Sequence, residues 1–107
     1  MDLNILQVSI GQWAAATFPH HTADSIFAHL EEEVSELKDA LGANDPDKIG
    51  ENVADVLILL VTLAEFLDIP SKDAVIAKMA INRKRTWDYD PTTGYHRHVE
   101  CEEAPYD

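Results

Sequence analysis

Apolar residues recur at intervals of three and four along four stretches of the chain, separated by proline, glycine and capping residues. The first stretch predicts a helix over Leu3–Thr17, with Leu6, Ile10 and Trp13 as its apolar stripe and Phe18-Pro19 as its end. The second follows the connector His20-His21-Thr22-Ala23-Asp24, where Thr22 or Asp24 can cap it. Its core face carries Ile26, Leu30, Leu37 and Leu41, and Gly42 is its expected stop. A turn centred near Asn44 leads to Asp45-Pro46, a cap followed by a first-turn proline. The next arm is apolar at nearly every position from Val53 to Ala64, the pattern of a helix buried on most sides. After the break at Asp68-Ile69-Pro70, Ser71 is placed to cap a fourth helix from Lys72 to about Thr86, with Val75 and Met79 facing the core. Beyond it, Trp87–Asp90 and Tyr95–Val99 alternate around Pro91–Gly94, the pattern of a small β-hairpin. The expected fold is therefore all-α: four helices in a bundle, with a small C-terminal hairpin or extended tail. Residues 1–100 are expected to form the domain and 101–107 an acidic tail.

Two positions break the apolar pattern of the central hairpin. Position 33 falls on the core stripe of the second helix yet is Glu33, and Glu36 stands one turn further along the same side. Asp55 is the one charged residue in the apolar run of the third helix, with Asn52 a turn before it on the same face. Both pairs lie equally far from Asn44, and antiparallel helices joined by a short loop bring such positions together. Carboxylates gathered there repel one another and lose hydration, so they must take up protons or bind cations. A set of oxygen ligands with high negative charge suits a hard divalent ion, Mg²⁺ or Mn²⁺. Glu31, Ser35 and Lys38, by contrast, fit an ordinary solvated face.

Composition narrows the choices. The chain has 107 residues, enough for one domain with a small core. Its formal net charge is −12, from 8 Lys and Arg against 20 Asp and Glu, which opposes binding to nucleic acid or an anionic membrane. Cys101 is the sole cysteine, so no intrachain disulfide can form. With no basic start of a signal peptide and no apolar run long enough to span a bilayer, a cytosolic location is expected. His96, His98 and Cys101 are too few and too loosely spaced for a transition-metal site.

The scarce positive charge is concentrated. Lys78, Asn82 and Arg85 recur at i, i+4 and i+7 on the fourth helix, and Lys78, Arg83, Lys84 and Arg85 hold half of the 8 cationic side chains. A helix dipole favours cations near its C-terminus, which explains clustering but not a stripe. Carboxylates that hold ions, with a cationic stripe beside them, point to a metal-bridged phosphate ligand.

Taken in order, Glu32-Glu33-Val34-Ser35-Glu36, Asn52-Val53-Ala54-Asp55 and Lys78 through Arg85 resemble the motif series of the all-α nucleoside-triphosphate pyrophosphohydrolases, the MazG-like superfamily. The resemblance covers about Leu6 to Thr86 and is greatest to the phage and prophage dATP/dGTP diphosphohydrolase branch. It implies cleavage of a deoxynucleoside triphosphate between the α- and β-phosphates, giving a monophosphate and pyrophosphate. It further implies that Glu33, Glu36 and Asp55 are metal ligands and that Glu32 is a second-metal ligand or water-activating base. Lys78, Asn82 and Arg85 would hold phosphates, and His21, with Trp13, would line the base pocket. Where the family has the first Glu of Glu-x-x-Asp, this chain has Asn52, preceded by Glu51. An amide oxygen can bind Mg²⁺ or Mn²⁺ but brings no charge. Members of the superfamily are dimers or tetramers, so a homodimer or homotetramer is expected.

Two other readings stay open at this stage. One is cleavage of dCTP or dUTP, since base choice rests on pocket shape; the other is a non-catalytic helical module that binds nucleotide or a partner, a reading that Asn52 keeps alive. A di-iron carboxylate bundle is set aside because the chain lacks the Glu-x-x-His pairs of that design.

Overall fold

The computed structural model describes residues 2–99. In chain order it comprises α1 (Leu3–Thr17), α2 (Ala23–Ala43), α3 (Pro46–Phe66), α4 (Ser71–Lys84), β1 (Trp87–Asp90) and β2 (Tyr95–His98). The expected all-α fold with a small C-terminal hairpin is what these elements form. The acidic end and Cys101 lie outside the described residues. Two compact units meet in sequence between Ala74 and Val75, and each is described by itself.

In the first unit α3 packs against both α2 and α1. The α2–α3 hairpin is set by its caps. Thr22 and Ser25 form a capping box at the start of α2: the Thr22 hydroxyl accepts from Ser25 N at 3.1 Å and Ser25 Oγ from Thr22 N at 2.7 Å. At the other end Gly42 stays helical, contrary to its expected role as the stop, and Asn44 takes the left-handed conformation at φ 52°. Its amide donates to the Leu41 carbonyl at 3.2 Å, closing the helix one turn back. Asp45 then accepts from Lys48 N at 3.2 Å and Pro46 opens α3, so the chain reverses within two residues.

The core is small: Ala14, Ile26, Leu30, Ala40 and Leu59 are its buried apolar residues. Ile26 and Leu30 stand where the α2 stripe predicted them. Leu41 is instead exposed, and Ala40 takes the buried position near the turn. On α1 the buried residues are Gln7 and Ala14, with Gly11 between them on the same face, whereas Leu6 and Trp13 of the expected stripe are exposed and Ile10 is half-buried. The physical reason is closeness of approach. A Cβ built on Gly11 would run into Glu65 Cγ, so α1 comes nearer to α3 than a larger side chain permits. Gln7 can be buried because both ends of its amide are used, by Ile69 O at 2.7 Å and Ser71 N at 3.1 Å.

The expectation that α3 is buried on most sides does not hold within one chain. Asn52, Leu59 and Thr62 are buried, whereas Val53, Leu57, Leu60 and Leu67 leave apolar surface in solvent. Two packing partners cover only part of a helix, and the rest of α3 is left bare.

The second unit takes in α4 from Val75 onward, and the helix ends at Lys84, short of the expected Thr86. The Asn82 carbonyl there receives Trp87 Nε1 at 3.0 Å and Arg85 N at 3.3 Å, which turns the chain out of the helix. Arg85 thus sits just beyond the helix rather than on its stripe. Val75 and Met79 are exposed, not core. The hairpin pairs Trp87 with His98 and Asp90 with Tyr95. Gly94, at φ 83°, closes it by donating to Asp90 O at 2.8 Å, a conformation glycine adopts without strain.

Candidate active site

Two hollows open along the α2–α3 hairpin, and the motif carboxylates line both. The larger, of about 600 Å³, is walled by Ile26, His29 and Glu33 of α2 and by Asp55, Ile58, Leu59 and Thr62 of α3. Trp13 of α1 and the connector residues Phe18 to His21 close its far end. The smaller, of about 410 Å³, is lined by Glu36, Glu51, Asn52, Asp55 and further charged residues near the turn. Asp55 faces both. The structure therefore brings Glu33, Glu36, Asn52 and Asp55 to one stretch of the hairpin, as equal distances from Asn44 require. Glu32 is exposed on α2 and lines neither hollow.

Burial is graded across this set. Asn52 is buried, the Glu33 side chain is 16% exposed, and Glu36 and Asp55 are exposed. Glu33 Oε2 is buried without a hydrogen-bond partner. The Glu33 carboxyl is held above the usual carboxylate range, first by a side-chain hydrogen bond with Glu36, then by burial and by the charges of Glu36 and Asp55; His29 acts weakly the other way. These groups favour a shared proton or a cation. Among the described residues no three His, Cys, Asp or Glu side chains already converge on one point where an ion would sit. The donor set itself, all oxygen, rich in negative charge and with one orphaned buried carboxylate atom, fits Mg²⁺ or Mn²⁺.

The opposite end of the larger hollow is aromatic. Trp13 and Phe18 meet edge to face at 5.4 Å, and the His21 ring stands edge-on to Phe66 at 5.1 Å. Nδ1 of His21 is buried without a partner. Trp13, read from its spacing as core, is 54% exposed and lines the hollow instead. His29 was not singled out from the sequence. Its ring lies 3.5 Å from Glu33 Oε1, and the signal was there: it precedes Glu33 by four residues on the same helix face.

Of the cationic stripe, Lys78 and Asn82 lie on α4 and Arg85 just after it, all within the second unit. Asn82 Oδ1 is buried without a partner.

Residues 21–86 match the MazG nucleotide pyrophosphohydrolase domain. The chain belongs to the MazG family. It is an enzyme, since MazG domains are nucleotide pyrophosphohydrolases. The match takes in the first carboxylate motif, Asn52 to Asp55, and Lys78 to Arg85. A dATP/dGTP diphosphohydrolase of Cyanophage S-2L is 37% identical over 100 residues, covering 94% of this chain and 90% of that protein. A dATP/dGTP diphosphohydrolase of Salmonella phage PMBT28 is 38% identical over 94 residues, 88% of this chain but only 30% of that longer protein. Among solved structures, the Cyanophage S-2L MazG-like pyrophosphohydrolase bound to dGDP and three catalytic Mn²⁺ ions per active site matches with a TM-score of 0.77 at 36% identity. That superposition covers 94% of this MazG chain and 99% of its relative.

Proposed function

We propose that this MazG enzyme hydrolyses deoxynucleoside triphosphates, dATP and dGTP in preference, between the α- and β-phosphates, releasing a monophosphate and pyrophosphate. One observation carries the reading: an aromatic end (Trp13, Phe18, His21) and an acid end (Glu33, Asp55) share a single cavity of about 600 Å³, within the range of small-molecule sites. The purine preference is supported by the two phage relatives, both dATP/dGTP diphosphohydrolases, and by the dGDP in the solved one.

Glu33, Glu36 and Asp55 would hold Mg²⁺ or Mn²⁺ with the Asn52 amide oxygen, and the exposed Glu32 would ligate a second ion or activate the water; the ion supplies charge neutralisation at phosphate and a more acidic water. Lys78, Asn82 and Arg85 carry the phosphate-binding role. Their charges and donors match phosphate oxygens, and neutralising them offsets the repulsion a triphosphate meets in a chain of net charge −12. The aromatic end takes the base by stacking and by the unpartnered His21 Nδ1. Residues 1–100 form the catalytic domain in this reading and 101–107 an acidic tail.

The bare apolar positions Val53, Leu57 and Leu60 on α3, with Leu67 at its cap, support a homodimer or homotetramer. The acidic charge balance supports action without a nucleic-acid partner, and the lone cysteine accords with a reducing, cytoplasmic place of action. Among the described residues no helix is long and apolar enough to cross a membrane. The deciding experiment is pyrophosphate release from each of the four dNTPs with Mg²⁺ or Mn²⁺. Cleavage led by dATP and dGTP is expected; preference for dCTP or dUTP would overturn the purine assignment, and inertness toward all four the whole reading.

A further inference from the structure

We infer that His29 reads the sugar of the bound nucleotide, through its 3′-hydroxyl. The inference rests on the nucleotide reading above and adds a residue to it.

The larger cavity runs along α2, where Ile26, His29 and Glu33 stand on successive turns, about 4.5 and 6 Å apart along the axis. On antiparallel α3, Thr62, then Leu59 and Ile58, then Asp55 pass the same levels in the opposite sense. Base and phosphate of a nucleotide are joined through its sugar. With the base at the aromatic end and phosphates toward Glu33 and Asp55, the sugar falls at the middle level. Ile58 and Leu59 wall that level with apolar carbon, and His29 is the polar side chain facing it.

A deoxynucleotide carries one free sugar hydroxyl, and it loses water on entering such a place. Without a partner that transfer is costly. Neighbouring hydroxyls have no proton left to give: Thr62 Oγ1 donates to Ile58 O at 2.7 Å and Ser25 Oγ to Thr22 O at 3.1 Å. His29 is held by a long pairing, its Nε2 3.5 Å from Glu33 Oε1, and its side chain is 48% exposed, which leaves it able to bond a ligand. An imidazole N–H can donate to the oxygen of that hydroxyl.

The test compares kcat/KM for dGTP and 2′,3′-dideoxy-GTP in the wild type, His29→Ala and His29→Gln. Loss of the 3′-hydroxyl should slow the wild type about tenfold, the worth of one hydrogen bond in a half-open site. His29→Ala should abolish that difference, dGTP falling to the level of the dideoxy substrate. His29→Gln, which keeps a donor and an acceptor, should retain most of it. A merely structural role would lower both substrates together. An active enzyme with a wild-type ratio near one, or with the same ratio in His29→Ala, overturns this inference alone. Wild-type inertness toward every dNTP overturns it together with the nucleotide reading.

Discussion

The Gln7 side-chain amide donates to Glu65 Oε1 at 3.1 Å, fastening the first turns of α1 to the last turn of α3. The same nitrogen reaches Ile69 O, and Gln7 Oε1 accepts from Ser71 N. One buried side chain thus satisfies the backbone where α3 gives way to α4. Gln7→Leu keeps the bulk but strands that carbonyl and that amide. We expect a loss of about 2–4 kcal/mol, seen in thermal unfolding as a Tm lower by roughly 10–20 °C. A Tm within 2–3 °C of wild type, roughly the noise left by a neutral surface change, would contradict the role given to Gln7.

Gly11 tests how close the two helices lie. Gly11→Ala drives a methyl group into Glu65 Cγ and Cβ, and Glu65 cannot swing away without releasing Gln7. Destabilisation of about 1–3 kcal/mol is expected. The double variant Gly11→Ala, Glu65→Ala should recover part of it, giving a measurable coupling in a thermodynamic cycle. Strict additivity would show that the contact is not what costs stability.

Glu33 sets a pH dependence whose sign can be worked out. Its carboxyl is raised above the ordinary 4.5, so the metal-free folded protein binds this proton more tightly than the unfolded chain. Its contribution to stability is therefore greatest below that value and declines as pH rises through the raised one. Glu33→Gln removes the repulsion with Glu36 and Asp55. The metal-free variant should have a higher Tm than wild type at pH 7 and no gain at pH 4, while its pyrophosphohydrolase activity is lost. A lower Tm at pH 7 would mean the carboxylate stabilises the apo fold.

Metal dependence gives a separate readout. In the proposed site, adding Mn²⁺ to the metal-free enzyme should raise its Tm by mass action on the folded state. Glu36→Gln should lose most of that rise together with turnover, with its helical circular dichroism unchanged. An identical Mn²⁺ shift in this variant would remove Glu36 from the ligand set.

At the aromatic end, Trp13→Ala should raise KM for dGTP about tenfold, in keeping with the worth of base–aromatic stacking, and change kcat far less. Its exposure makes folding of the variant secure. An unchanged KM, measured across the four dNTPs, would place the base elsewhere.

The hairpin and its acid pair were legible because they depend on local rules. Helical periodicity, the Thr22 and Asp45 caps and the position of Asn44 need only near neighbours along the chain. From these, the approach of Glu33 and Glu36 to Asn52 and Asp55 follows by counting residues. The packing of α1 was not legible in this way. Its apolar stripe named Leu6, Ile10 and Trp13, yet the face that packs on α3 is Gln7, Gly11 and Ala14. Hydrophobicity ranks side chains by their cost in water, whereas this contact was decided by how small they are and by partners more than fifty positions away.

What the chain order determined alone was four helices, a hairpin tail and an acid pair in register across one turn, since each rests on spacing within a segment. Tertiary structure decided that Trp13 faces a cavity rather than the core, that α3 keeps a bare apolar side and that His29 shares a wall with the carboxylates. Those outcomes depend on which surfaces meet in space, and a helix with several amphipathic solutions is assigned its face only when its neighbours close upon it.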